Sequence, residues 1–475
     1  MTSRPYLNRR TLLRRSAAAG LFTLPALGAL SACASGGGSG GSDNESAERG
    51  ETSADNPFGV TDSELEVVIF DGGFGDQYAL DAEAIYEQRY GSVDHTKTQE
   101  ISSQLQPRLV QHNPPDVIDN DGAQALDMGP LVRDGQAYDL TELLDAPSLD
   151  DPNTKVRDTL MPTIVEMGQF GGEEVLQLNY AFTIYGQWYS RTALERIGAD
   201  YPQTWDEMLA VCEAAKREGI AGWTYPGQFP YYLDFTIYPM IAKVGGPEAL
   251  AAIDNLEPNA WRHDAVKAVF EAYYELVAKG YVLEGSPGMS HLDAQSEWTE
   301  YHALFIPNGS WVENESKATT PDDFQMAVGA PTGLDSSDAM PFGTLWASGS
   351  APFFIPADAD NIAGGLEFLR IMLGKESGAN FTRLTSSLSC VRGAADDLEL
   401  GPGLSSAKEV LEAAGDNIVL PRVQDWYSTF NNEDIGGAIA DMMAGDIEPE
   451  EAITRCQRAA DALAQDDSIV KFTHV

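Results

Sequence analysis

Leu65-Glu66-Val67-Val68-Ile69-Phe70-Asp71-Gly72-Gly73-Phe74-Gly75 has the pattern of a buried strand running into a tight turn. Its first six residues are an apolar run of strand length, and a glycine-rich turn follows at once. Residues 78–90 then read as a helix, and so does Ile101–Val110. Pro114-Pro115 ends the second helix before a short strand at residues 116–119. Strands alternating with helices define an α/β layer with parallel-type pairing. Glycine-rich turns after such strands lie at their carboxyl ends, where α/β sheets bind ligands.

Residues 177–190 form a second extended stretch, rich in Tyr, Phe, Thr and Ile. Thr204-Trp205-Asp206-Glu207 is a capping box: Thr204 caps a helix and Glu207 reaches back from its third position. That helix runs to about Glu218 and stops at Gly219. Further helices are expected near residues 263–279, 364–373 and 449–464. No internal repeat is visible.

Composition narrows the function classes. The chain has 475 residues, enough for two or more lobes that each bury a core. Lys plus Arg total 30 against 73 Asp plus Glu, a formal charge of −43, so a nucleic-acid backbone is repelled. Hydrophobic residues at 43% and aromatics at 9% describe a globular protein rather than a disordered one. The one long apolar run is N-terminal, which excludes a polytopic membrane protein. A dense carboxylate surface suits high ionic strength, where self-repulsion is screened.

The N-terminus reads as an export signal. Arg4, Arg9, Arg10, Arg14 and Arg15 precede an Ala/Leu-rich stretch at residues 17–29, and no acidic residue occurs before Cys33. Leu30-Ser31-Ala32-Cys33 resembles a lipobox, which implies cleavage after residue 32 and acylation of Cys33. Asn8-Arg9-Arg10-Thr11-Leu12-Leu13-Arg14 resembles a twin-arginine signal, with the plain secretory route as the alternative. Acyl chains at about 0.8 kcal/mol per buried methylene would hold the chain on the outer face of the cell membrane. Residues 35–50 are a Gly/Ser-rich polar tether. Of the remaining cysteines, Cys212 and Cys456 fall on apolar helix faces, and three thiols, with Cys390, make no disulfide framework.

Motifs for catalysis are missing. The glycine-rich turn lacks GxGxxG spacing and a phosphate-loop Lys, and there is no GxSxG or HExxH. The six histidines have no metal-ligand spacing, so neither a metal nor a cofactor is expected. Carboxylate pairs suited to glycoside hydrolysis arise by chance among 73 acids, which leaves a hydrolase as a competing reading. The stronger pattern is aromatic residues beside small polar and acidic ones on loops. It recurs at Tyr231-Tyr232, at Ser310-Trp311-Val312-Glu313, at Trp346-Ala347-Ser348 and at Asp425-Trp426-Tyr427. A neutral sugar needs this mixture: its C–H faces stack on rings and its hydroxyls bond to carboxylates and amides.

These segments, in this order, resemble extracellular solute-binding lipoproteins of carbohydrate ABC transporters. The likeness is strongest to the actinobacterial N-acetylglucosamine and N,N′-diacetylchitobiose binding proteins. It is carried by the opening stretch and by Thr98-Gln99-Glu100-Ile101, Asn113-Pro114-Pro115-Asp116-Val117-Ile118-Asp119-Asn120 and Leu178-Asn179-Tyr180-Ala181. The capping box, Gly309-Ser310-Trp311-Val312-Glu313-Asn314-Glu315 and Ala414-Gly415-Asp416-Asn417 add to it.

The resemblance implies an α/β fold of two periplasmic-binding-protein-like lobes, joined by hinge strands around a cleft. Lobe I would comprise residues 64–181 plus 347–396 and lobe II residues 186–340 plus 402–475, behind a signal peptide (1–32) and a lipidated tether (33–63). It places Phe74 and Asn120 on the cleft edge of the first lobe and Tyr180 and Thr183 at the hinge. Tyr231, Tyr232, Trp311 and Trp426 would stack on sugar, and Glu313 would accept a hydroxyl. Trp346 is a further ring at the cleft, although the resemblance supplies no Trp there. The implied role is non-enzymatic: a monomer captures N-acetylglucosamine or a chito-oligosaccharide for two permease subunits and, through them, an ATPase. The same fold with another oligosaccharide is the nearest alternative.

Overall fold

The computed structural model describes residues 49–161 and 163–474, so the expected signal peptide and Cys33 lie outside the described residues. Ten strands form one sheet: β1 (Leu65–Phe70), β2 (Val93–Thr98), β3 (Val117–Asp119), β4 (Leu178–Ser190), β5 (Ala221–Trp223), β6 (Ala303–Gly309), β7 (Met326–Gly329), β8 (Leu345–Phe354), β9 (Leu388–Ser389) and β10 (Ile418–Val419). The main path runs β2-β1-β3-β8-β4-β6-β5; β10 pairs with β8, and β7 and β9 pair with β4.

The expected parallel pairing holds at the two ends of the sheet. β1 pairs in parallel with β2 and β3, and β5 with β6. The middle is antiparallel, because β8 runs against both β3 and β4, and β4 runs against β6 and β7. β4 is the reason. It pairs with β8 from Leu178 to Tyr185, then with β6 from Tyr185 to Tyr189, and so passes from one end of the sheet to the other at Tyr185. A single 13-residue strand therefore belongs to both halves.

The apolar core divides by sheet face, not by lobe. Val68, Ile118, Tyr185, Phe305, Trp346 and Phe354 lie in one buried cluster; Val67, Val117, Ile184, Ile306, Ala347 and Phe353 lie in the other. These are alternating positions on β1, β3, β4, β6 and β8, as the period of two requires. Because the sheet is unbroken, each of the two clusters draws on strands from β1 through β6.

Helices cover the two ends. Gln77–Glu87 packs on Ile362–Met372 and Lys375–Thr385 beside β1. Asp234–Gly245, Asp264–Ala278, Gly436–Ala444 and Pro449–Gln465 form the opposite bundle. The capping box is present, with Thr204 Oγ1 accepting from Glu207 N at 3.4 Å and Glu207 Oε2 accepting from Thr204 N at 3.2 Å. Cys212, Cys390 and Cys456 are buried free thiols. Among the described residues no helix is long and apolar enough to cross a membrane.

One buried charge stands out. Lys243, on the Asp234–Gly245 helix, is fully buried and donates to the carbonyl of Pro331. Burial pushes its amine down to about 7, and the Asp338 carboxylate pulls the other way. The native state thus binds fewer protons than the unfolded chain from about pH 7 up to the ordinary lysine range, and stability rises with pH through that window. Lys243→Met is expected to flatten the rise, seen as denaturant midpoints at pH 7 and pH 9. Equal slopes in both proteins would refute this origin.

Candidate functional site

The sheet parity that divides the core also builds the site. Odd-numbered residues of β4 and even-numbered residues of β8 share one face, and the register sets Tyr185 opposite Trp346 and Thr183 opposite Ser348. The Tyr185 and Trp346 rings lie 4.4 Å apart at 30°. Trp346 Nε1 donates to Ser348 Oγ at 2.9 Å, and the Thr183 and Ser350 hydroxyls are 2.6 Å apart. The floor is therefore two rings followed by a run of hydroxyls.

Rings from the β6 side close over this floor. Phe235 lies 4.7 Å from Tyr185 and 5.7 Å from Trp346. Trp311, placed by the turn after β6, meets Tyr185, Phe235 and Tyr232 edge-on at 5.7, 5.7 and 6.1 Å. Tyr231 tilts on Tyr232 at 5.0 Å. Trp311 and Tyr231 keep part of their surface in solvent, whereas Trp346 and Tyr232 are buried. Edge-to-face contacts of this kind suit the aromatic quadrupole.

Carboxylates border the rings. Asp121, half-buried, accepts from Gly122 N at 2.7 Å, and burial raises its pKa. Burial first, and then the Asp121 charge, holds the Tyr185 and Tyr231 phenols above their ordinary range. Asp425 is pushed up to about 6 by burial, with the Arg422 guanidinium acting against it. Arg422 is itself buried and donates to the carbonyls of Glu166, Met167 and Gln169 at 3.1, 3.2 and 3.3 Å. The arrangement offers aromatic faces, hydroxyls and carboxylate acceptors in one place, and among the described residues no metal-ligating cluster.

Four residues of the expected site make their contacts within the fold. Glu313 accepts from Gly403 N at 3.1 Å and Leu404 N at 2.7 Å, capping the Pro402–Ala414 helix with both oxygens. Asn120 spends its amide closing a loop, with Oδ1 accepting from Leu126 N at 2.7 Å and Nδ2 donating to Leu126 O at 3.0 Å. Tyr180 is an even-numbered β4 residue, so it points to the other face; there it stacks on Tyr78 at 5.8 Å and donates to Met372 O at 3.1 Å. Phe74 turns its ring onto Phe381, 5.2 Å away. A fifth, Trp426, lies against Phe472 and His474, with the Arg422 guanidinium 5.1 Å from its ring centre. Thr183, Tyr231, Tyr232, Trp311 and Trp346 do come together. Sequence reasoning missed Tyr185, Phe235 and Asp121, and it marked the segment of Ser348 without assigning that hydroxyl a role. Tyr185 was findable, because it has the same parity as Thr183 along residues 177–190.

A two-lobed α/β fold with aromatic rings, hydroxyls and carboxylates gathered beside the connecting strands is the architecture of a protein that captures a solute. The comparisons agree. The family profile described as bacterial extracellular solute-binding protein matches residues 82–379. The diacetylchitobiose binding protein NgcE of Streptomyces coelicolor is 33% identical over 470 residues, covering 98% of each chain. Among solved structures, apo RafE from Streptococcus pneumoniae superposes with a TM-score of 0.67 at 16% identity, covering 84% of this chain and 97% of its own. A chitin oligosaccharide binding protein superposes with a TM-score of 0.63 at 17% identity, covering 82% and 94%. The chain belongs to the bacterial extracellular solute-binding protein family, whose members are extracytoplasmic transport components and not enzymes.

The capping role of Glu313 is open to direct measurement. Glu313→Ala is expected to cost about 1–2 kcal/mol of unfolding free energy, by analogy with lost helix caps and charge-assisted bonds, while ligand affinity stays unchanged. Lost affinity at unchanged stability would return Glu313 to the ligand.

Proposed function

We propose that this chain is the sugar-capturing component of an ABC importer, taking N-acetylglucosamine or N,N′-diacetylchitobiose between lobes formed by residues 64–181 plus 347–396 and 186–340 plus 402–475. The observation that carries the reading is the Tyr185–Trp346–Phe235–Trp311 ring cluster set against the Thr183, Ser348 and Ser350 hydroxyls and the Asp121 and Asp425 carboxylates. Rings give C–H faces a surface, and hydroxyls and carboxylates bond the sugar's O–H groups directionally. The similarity to a diacetylchitobiose binding protein along nearly the whole chain supports the acetamido sugars over plain glucans. Binding of this kind reaches micromolar or tighter, about −8 kcal/mol. The chain would hand its sugar to two permease subunits driven by an ATPase.

Calorimetric titration of residues 51–475 with N-acetylglucosamine, diacetylchitobiose, cellobiose and maltose tests the ligand. Heat from only the acetamido sugars is the expected result; binding of cellobiose or maltose instead would discard the ligand and keep the transport role. Trp311→Ala is expected to weaken the productive sugar by about 2 kcal/mol or more, as for a lost aromatic anchor, with thermal unfolding unchanged.

The lipobox-like Leu30-Ser31-Ala32-Cys33 supports anchoring at the outer membrane face through Cys33, after export by a twin-arginine-type signal. Cys33→Ala is expected to move the protein from the membrane fraction to the medium without altering sugar affinity. Retention in the membrane fraction would count against the anchor.

A further inference from the structure

Two of the glycines in Gly72-Gly73-Phe74-Gly75 are explained within their own half of the molecule. Gly75 has φ +64°, a left-handed conformation that disfavours a side chain. A methyl group on Gly72 would lie 2.1 Å from the Phe70 ring. Gly73 has neither reason. Its φ is outside the left-handed range, and the three atoms nearest to an added methyl group all belong to Glu315: Oε1 at 2.7 Å, Cγ at 3.1 Å and Cδ at 3.2 Å.

Glu315 lies in the turn after β6, on the far side of the β4 crossing from the Gly73 loop. It is not free to swing aside. Its carboxylate is half-buried, and Oε2 accepts from the buried Gln295 Nε2 at 2.7 Å. The neighbouring Asn314 Nδ2 donates to the carbonyl of Gly73 at 2.7 Å. One loop thus offers Gly73 a hydrogen bond and, at the next residue, leaves no room for a side chain.

We propose that Gly73 and Asn314 form the latch of the closed lobes. Gly73 is a glycine because Glu315 of the opposite lobe seats on it, and the Asn314–Gly73 bond exists only when the lobes meet. Gly73 is a positioning residue: it touches the opposing lobe rather than the sugar. A side chain there raises the free energy of the closed arrangement and leaves the open one unaffected, so it weakens any ligand that favours closure. The ligand readout rests on the sugar-binding reading; the conformational readout does not.

The test is a double-mutant cycle on the full mature chain, followed by diacetylchitobiose dissociation kinetics and by small-angle scattering without sugar. Gly73→Ala is expected to weaken affinity about tenfold, mainly through faster dissociation, a coupling of ordinary size. It is also expected to enlarge the radius of gyration. Glu315→Ala removes the atoms in the way, so Gly73→Ala/Glu315→Ala is expected to recover most of the affinity and the smaller radius. Asn314→Ala is expected to speed dissociation several-fold with unchanged thermal unfolding. Wild-type affinity and radius in Gly73→Ala would overturn the latch, and so would a double variant as impaired as the single one. A wild-type chain that binds none of the sugars would overturn the ligand reading alone, because the scattering comparison still decides the latch.

Discussion

Everything at the site depends on the backbone pairing of β4 with β8. Their register sets Tyr185 across from Trp346 and Thr183 across from Ser348. A slip of one residue would turn each of these side chains to the opposite face. The same pairing joins the two ends of the sheet, because β4 leaves β8 for β6 at Tyr185. The residue at the crossing is thus also the central ring of the site.

Polar groups beside the rings hold the two sides together. Arg422 reaches the carbonyls of Glu166, Met167 and Gln169, while its own backbone N–H donates to Asp254 Oδ1 at 3.0 Å. Asp254 Oδ2 lies 2.8 Å from His474 Nε2, which ties the C-terminal segment to the same network. A buried guanidinium with carbonyl acceptors is stable in its place, and removing its partners leaves an uncompensated charge. Glu313 shows a related economy. The carboxylate nearest in sequence to Trp311 serves a helix terminus, while the charges that act on the phenols of the site come from Asp121 and Asp425 on distant loops and from Glu315 four residues after Trp311.

Local signals were legible in the sequence where a local rule governs. Ile101–Val110 and the Thr204 capping box follow from periodicity and hydrogen-bonding chemistry within a few residues, and both stand in the structure. The α/β class followed from the first strand and its glycine turn. The antiparallel centre did not, because it depends on which distant strands lie beside β4. The site divides in the same way. Thr183, Trp311 and Trp346 sit in marked segments and meet in space. Tyr180 lies on the same strand as Thr183 but, by strand parity, faces the opposite side of the sheet. The fold contacts of Glu313 and Asn120 were not legible, because their partners, the amides of Gly403, Leu404 and Leu126, are invisible until the chain is folded. Phe235 carries no signal of its own beyond an apolar helix.

The rings of the site already cover one another. Tyr185, Trp346 and Phe235 are each less than 10% exposed. A guest that enters among them exchanges ring–ring contact for ring–guest contact and removes little new apolar surface from water. Heat capacity is the quantity that reports such burial, so capture here should carry a small ΔCp for its size. The free energy then has to come from directional bonds to hydroxyls and carboxylates, which makes the association enthalpic and selective for the guest's stereochemistry.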